Sequence, residues 1–281
     1  MPSFTSAVSQ GTPCIGLFIS MFSDIAAALI GSSGYDCAII DTEHTPMSAR
    51  EATHIVHAVA AASNGTCSTL VRIPSHGVEW VKWALDSGAD GIVVPMVNSE
   101  ADVRQIVQKA RYPPLGQRSY GPIYAPFAAH NVAKTQKHYI ESKVPDVAVL
   151  AMLESAEGVK NAKAILACEG VSGAFVGPFD LRSSLGLSGG DGAESLFVGS
   201  LVKIVQAGKE TGKPVGIFAT STVSLKKRLS LGFDYIINGT DVGLLAQAAE
   251  VSLQEARRAA AEKEVTSSSA ASTAVAGRDT Y

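Results

Sequence analysis

The chain has 281 residues, 46% of them hydrophobic, and a formal net charge of −3. That is enough apolar material for one large core, and the charge balance, with no dense Lys/Arg cluster, gives no electrostatic footprint for nucleic acid or an anionic membrane. No Lys or Arg precedes Arg50, so the apolar run from Cys14 to Phe22 lacks the basic region of a signal peptide, and no apolar stretch reaches the ~20 residues a membrane span needs.

In chain order, IGLFIS from Ile15 and CAII from Cys37 are apolar runs of strand length. A helical period over Ala49–Ala62 precedes the strand STLVRI at Ser68; a second helix, 78–87, precedes GIVVPM at Gly91; a third, 101–111, follows. The segment 112–145 carries Pro113, Pro114, Gly116, Gly121, Pro122 and Pro126. Its length and composition predict a lid or substrate wall at the mouth of a site. The strand VAVLAML at Val147, the helix 158–167, GAFVG at Gly173, the helix 197–211, PVGIFA at Pro214, the helix 223–231 and YIIN at Tyr235 complete the series.

Alternating buried strands and amphipathic helices predict a parallel sheet with crossover helices. Eight strands favour a closed (β/α)8 TIM barrel over an open doubly wound sheet, which would carry GxGxxG after its first strand. One phrase recurs: GYDCAIID at Gly34, GADGIVVP at Gly88, GVSGAFVG at Gly170 and GFDYIING at Gly232, each read as a helix stop followed by a buried strand. The barrel is assigned to 1–264; 265–281, biased to Ser, Ala and Thr, has no periodic apolar face and is expected to be a disordered tail. Cys14, Cys37, Cys67 and Cys168 form no CxxC pair, which favours buried reduced thiols and a cytoplasmic chain.

Barrel chemistry gathers at the C-terminal ends of strands. There the second strand offers Asp41, Glu43 and His44, the third Arg72, the fifth Glu154 and the sixth Asp180. Glu154 and Asp180 supply two hard oxygen ligands for a divalent cation such as Mg2+, Mn2+ or Co2+. A carboxylate holding the imidazole of His44 would make it a general base. Arg72, inside an apolar run, needs an anionic partner: a substrate carboxylate or enolate oxygen, or alternatively one of the rim carboxylates. The turn at Gly177 and Pro178 could present backbone N–H groups to a carboxylate. No Lys falls at a strand's C-terminal end, which argues against a Schiff base. The loops after the last two strands lack a glycine-dense phosphate cradle, so carboxylated substrates fit better than phosphorylated ones.

IIDTEHTP at Ile39, LVRIP at Leu70, VPMVNSEADV at Val94, ARYPPLGQRSYGP at Ala110, LES at Leu153 and FVGPFDL at Phe175 together resemble the HpcH/HpaI aldolase family, over about residues 4–260. RSYGP at Arg118 is also similar to macrophomate synthase, a relative that decarboxylates oxaloacetate. The resemblance implies a TIM barrel of the phosphoenolpyruvate/pyruvate type and a class II, metal-dependent aldolase that cleaves a 4-hydroxy-2-oxo acid to pyruvate and an aldehyde. It also implies a homo-oligomer, usually a hexamer.

By the same resemblance His44 accepts the proton, Arg72 stabilises the enolate, Asp86 raises the basicity of the histidine, Glu154 and Asp180 hold the metal, and the Phe179 and Asp180 backbone contacts pyruvate. Met152 stands where several members have Gln, which leaves the acceptor pocket open to reinterpretation. The alternatives are an oxaloacetate decarboxylase or CoA-ester lyase on the same enolate chemistry, and a degenerate barrel serving as a binding or assembly protein.

Overall fold

A computed structural model describes residues 4–8, 11–128 and 135–275. Eight strands alternate with helices: α1 Phe4–Val8, β1 Cys14–Ile19, α2 Asp24–Ser32, β2 Cys37–Asp41, α3 Ala49–Ala62, β3 Ser68–Arg72, α4 Val78–Asp86, β4 Gly91–Val94 and α5 Glu100–Ala110. The short α6 Ala125–Ala128 and α7 Gln136–His138 precede β5 Ala148–Met152, α8 Ala156–Ala167, β6 Gly173–Val176, α9 Pro178–Ser184, α10 Ser195–Thr211, β7 Val215–Ala219, α11 Thr222–Leu231, β8 Tyr235–Thr240 and α12 Asp241–Val275.

All eight strands are parallel and close in chain order, β8 pairing with β1, so the fold is the (β/α)8 barrel. The alternation of side chains along each strand divides the apolar residues into two layers. Cys37, Ile39, Leu70, Val93, Leu150, Phe175 and Ile237 fill the barrel interior, while Ala38, Ile40, Val71, Ile92, Val149 and Ile236 face the helices. Phe4 of α1 meets Tyr235, the first residue of β8, edge to face at 5.3 Å, so α1 covers the N-terminal end of the barrel.

The recurring phrase has a structural meaning. Gly34, Gly88, Gly170 and Gly232 all adopt a left-handed backbone, with φ of 88°, 94°, 85° and 94°, which ends α2, α4, α8 and α11. Two residues on, Asp36, Asp90, Ser172 and Asp234 each make a reciprocal pair with the preceding strand. Their side chains accept from the N–H of Ile15, Thr69, Val149 and Val215 at 2.8, 2.8, 3.0 and 2.8 Å. Their own N–H groups donate to the carbonyls of the same four residues at 2.9, 2.7, 2.9 and 2.9 Å. Each staple ties an even-numbered strand to the odd-numbered strand before it.

The segment 112–145 departs from the expectation. Its described parts, 112–128 and 135–145, follow α5 and lead into β5, so they lie at the N-terminal ends of the strands, opposite the face where βα loops carry chemistry, and 129–134 lie outside the described residues. Its contacts agree: Arg118 Nη2 donates to Asp86 Oδ1 at 2.6 Å, Tyr139 Oη to the Leu85 carbonyl at 3.3 Å, and Lys143 Nζ to Asp90 Oδ1 at 3.3 Å. Within one chain it is therefore no lid over the barrel mouth. The expectation treated a helix-to-strand connection as a strand-to-helix one.

The chain divides into two compact units, residues 1–241 and 242–281. Helix α12 continues through Val275, and so includes 265–275 of the stretch expected to be a tail; 276–281 lie outside the described residues. No described helix is long and apolar enough to cross a membrane. The four cysteines are buried free thiols.

Candidate active site

A cavity of about 330 Å³ opens at the C-terminal ends of the strands. Asp41, His44, Arg72, Phe179 and Asp180, all singled out above, share its lining. Parallel pairing accounts for the nearest neighbours: Asp41 at the end of β2 is in register with Arg72 at the end of β3. The guanidinium grips the carboxylate at two points, Nε to Oδ1 at 2.9 Å and Nη2 to Oδ2 at 2.8 Å, and Nε also lies 3.3 Å from Glu43 Oε2. This is the rim ion pair left open as an alternative for Arg72. It leaves Nη1 without a protein partner among the described residues, so the pair holds the side chain while one edge stays available to an anion.

Asp41 also organises the turn after β2. Its Oδ1 accepts from the backbone N–H groups of Glu43 at 3.0 Å and His44 at 3.3 Å. The Asp41 carboxylate thus shapes the loop that carries His44. Glu43 is nearer the ring, with Oε2 3.8 Å from Nε2, a distance for charge attraction rather than a hydrogen bond. Burial pushes the Glu43 carboxyl up, against the pull of Arg72. The His44 side chain is 63% exposed at the cavity mouth.

Glu154 is the most unusual group. It is only 2% exposed; Oε1 accepts from the Met96 N–H at 2.7 Å, while the buried Oε2 has no partner. Met96 takes a left-handed φ of 51° just after β4, rare for a residue with a side chain, and this turn aims its N–H at the carboxylate. Burial is the main cause that pushes the Glu154 carboxyl up to about 7; the nearby Asp180 and Glu43 carboxylates add to it and the Met96 N–H opposes it. A buried, orphaned carboxylate oxygen under the influence of the Asp180 and Glu43 carboxylates, which Arg72 offsets least among the causes, fits a divalent cation held by Glu154 and Asp180. Among the described residues no cluster of three or more His, Cys, Asp or Glu could enclose an ion, so water and substrate oxygens would complete its coordination.

Phe179 and Asp180 belong to the first turn of α9, whose N1 residue is Pro178. Their N–H groups have no carbonyl four residues back within the helix.

Asp86 does not join this site. It ends α4, at the N-terminal face, and pairs with the fully buried side chain of Arg118. Within one chain it cannot act on His44, the role the resemblance implies. His57 and His76 bond the carbonyls of Ser87 and Pro95, which leaves them structural.

The sequence reading missed the aromatic side of the cavity: Phe18, Phe175 and Phe218 also line it, with Ser20, Thr240 and Met152, the last already tied to the acceptor pocket by the resemblance. These side chains sit inside apolar strand runs, where inward and outward positions look alike until the barrel register is known. It also missed Asp241, whose carboxylate accepts from the N–H groups of Ser20 and Met21, both at 2.9 Å, and so secures the end of β1.

The family model for HpcH/HpaI aldolase/citrate lyase matches residues 14–248. The chain belongs to the HpcH/HpaI aldolase/citrate lyase family. It is 33% identical over 248 residues to a 4-hydroxy-2-oxo-heptane-1,7-dioate aldolase of Shigella boydii, covering 88% of this chain and 92% of that one. It is 32% identical over 261 residues to a hydroxypyruvate/pyruvate aldolase of Paraburkholderia phytofirmans, covering 92% and 100%. Among solved structures, a family protein of Burkholderia cenocepacia superposes with a TM-score of 0.82 at 33% identity, over 90% of this chain and 98% of that one. Macrophomate synthase does so with 0.81 at 26% identity, over 92% and 91%. This family member is a carbon-carbon lyase of the aldolase type.

Proposed function

We propose that the protein is a divalent-metal-dependent class II aldolase that reversibly cleaves a 4-hydroxy-2-oxo acid to pyruvate and an aldehyde, working in the cytoplasm as a homo-oligomer, by family resemblance a hexamer. The observation that carries this reading is the buried, half-unpartnered Glu154, which interacts electrostatically with Asp180 and Arg72, two residues that line the cavity. That is where a 2-oxo acid would need both a cation site and a guanidinium.

Glu154 and Asp180 would hold a divalent cation, which would supply Lewis acidity to a keto oxygen and offset negative charge there. Arg72, fixed by Asp41, directs Nη1 toward that charge without needing to reorganise, which is the condition for strong electrostatic stabilisation. The first-turn N–H groups of Phe179 and Asp180 orient the pyruvyl carboxylate. His44, at the solvent edge, takes the proton of the 4-hydroxyl directly or through one water, with Glu43 favouring the imidazolium that results. No lysine lines the cavity among the described residues, so a Schiff-base route has no nucleophile there.

The test is pyruvate release from 4-hydroxy-2-oxo acids and from oxaloacetate, by protein stripped of metal and then supplied with Mg2+, Mn2+ or Co2+. Metal-dependent release from the hydroxy acids, lost in Glu154→Ala and His44→Ala, is the expected result. Release from oxaloacetate alone would make the protein a decarboxylase.

A further inference from the structure

The cavity has two chemically different sides. The ionic side carries Asp41, His44, Arg72 and Asp180. Adjoining it, a row of rings runs through the lining. Phe175 on β6 meets Phe18 on β1 edge to face at 6.0 Å; Phe18 meets Phe218 on β7 at 5.8 Å; and Phe218 meets Phe179 on α9 at 6.4 Å. Met152, buried at the end of β5, extends the apolar floor. The outermost ring is backed by the chain itself, since a Cβ at Gly190 would collide with the Phe179 ring, so loop backbone presses on that face.

Among the described residues of one chain, positive charge in the lining lies on the ionic side. Arg72 is the one Lys or Arg among the described residues that line the cavity, and Asp41 and Glu43 occupy its Nε and Nη2. Its guanidinium lies 4.6 Å from the Phe18 ring centroid, where the ionic side ends. An acceptor carboxylate laid along the ring row would lose its water without gaining a cation, a costly exchange. A ring or branched alkyl group would bury apolar surface against four aromatic faces.

We infer that the acceptor half of this site takes an aldehyde with an uncharged, apolar substituent, aromatic or branched aliphatic, and that Phe218 and Met152 set this preference. The inference rests on the aldolase reading above. In the synthetic direction a C–H bond of the pyruvate methyl breaks and its proton goes to the base. The carbon-carbon bond forms to the aldehyde carbonyl carbon, and the aldehyde oxygen takes up a proton to become the 4-hydroxyl. Cleavage reverses each change, so no oxidant or further reactant is needed.

The experiment supplies the full chain with Mn2+ and pyruvate, and measures kcat/KM for addition to benzaldehyde and to succinic semialdehyde. Hydrogen-deuterium exchange of the pyruvate methyl, without acceptor, is followed in parallel by NMR. The expected result is at least a tenfold preference for benzaldehyde, reversed in Phe218→Arg and narrowed in Met152→Gln; the second variant keeps the test open should the first fail to fold. Exchange without that preference, or a ratio unmoved in the folded variants, would overturn the acceptor assignment alone. Absence of exchange would overturn the aldolase reading and this inference with it.

Discussion

Removing divalent ions with a chelator exposes the electrostatic cost of Glu154. Its carboxyl sits at about 7 in the folded chain against an ordinary value of 4.5, because burial disfavours the charged form and Asp180 and Glu43 stand nearby. An acid raised by folding contributes stability that is fully present below the ordinary value and is lost as pH climbs through the raised one. The gap corresponds to on the order of 3 kcal/mol, at about 1.36 kcal/mol per pH unit. Urea unfolding of the metal-free protein at pH 5, 6, 7 and 8 should therefore show stability falling by that order, after the other titrations are removed by comparison with Glu154→Gln. Adding Mn2+ at pH 8 should restore the wild type, since a ligand of the native state alone stabilises it by mass action, and should do little for the variant. Parallel pH profiles for the two proteins would refute the reasoning.

Three other perturbations bear on the same structure. Arg72→Lys keeps the charge but loses the two-point grip on Asp41, so kcat should fall by roughly 10²-fold or more while circular dichroism stays native. A Cβ at Gly177 would collide with Glu154 Oε2, so Gly177→Ala should weaken Mn2+ binding, measured by calorimetry, by about 10- to 100-fold. Gly88 combines a φ of 94° with close approach to Ala125 and Ala128 of α6, and Gly88→Ala should cost about 2–4 kcal/mol in urea unfolding with metal affinity unchanged.

Most of the barrel was legible in the sequence because its signals are local. Apolar runs of strand length alternate with helical periods, and the left-handed glycines at Gly34, Gly88, Gly170 and Gly232 punctuate them. The ionic half of the site was legible for a related reason: a carboxylate, imidazole or guanidinium directly after a buried run has few structural explanations. Which rim carboxylate pairs with Arg72 was left open by the sequence, since only strand register shows that it is Asp41. The long segment 112–145 was assigned to the wrong end of the barrel by its length and composition, although its position after a helix already determines the face. The ring row was hidden because Phe18, Phe175 and Phe218 read as ordinary core residues, and whether a strand side chain fills the interior or walls a cavity depends on its height in the closed barrel.

The four reciprocal staples join β1 to β2, β3 to β4, β5 to β6 and β7 to β8, always through a residue two places after a left-handed glycine. The barrel is thereby divided into quarters, each a pair of strands with its own local closure. New termini introduced between α3 and β3, or between α10 and β7, would leave every staple inside a continuous piece of chain. Termini between β3 and β4 would make the Thr69 and Asp90 pairing close only after the rest of the circle had formed, so circular permutants of this protein should sort by the parity of the strand at which they begin.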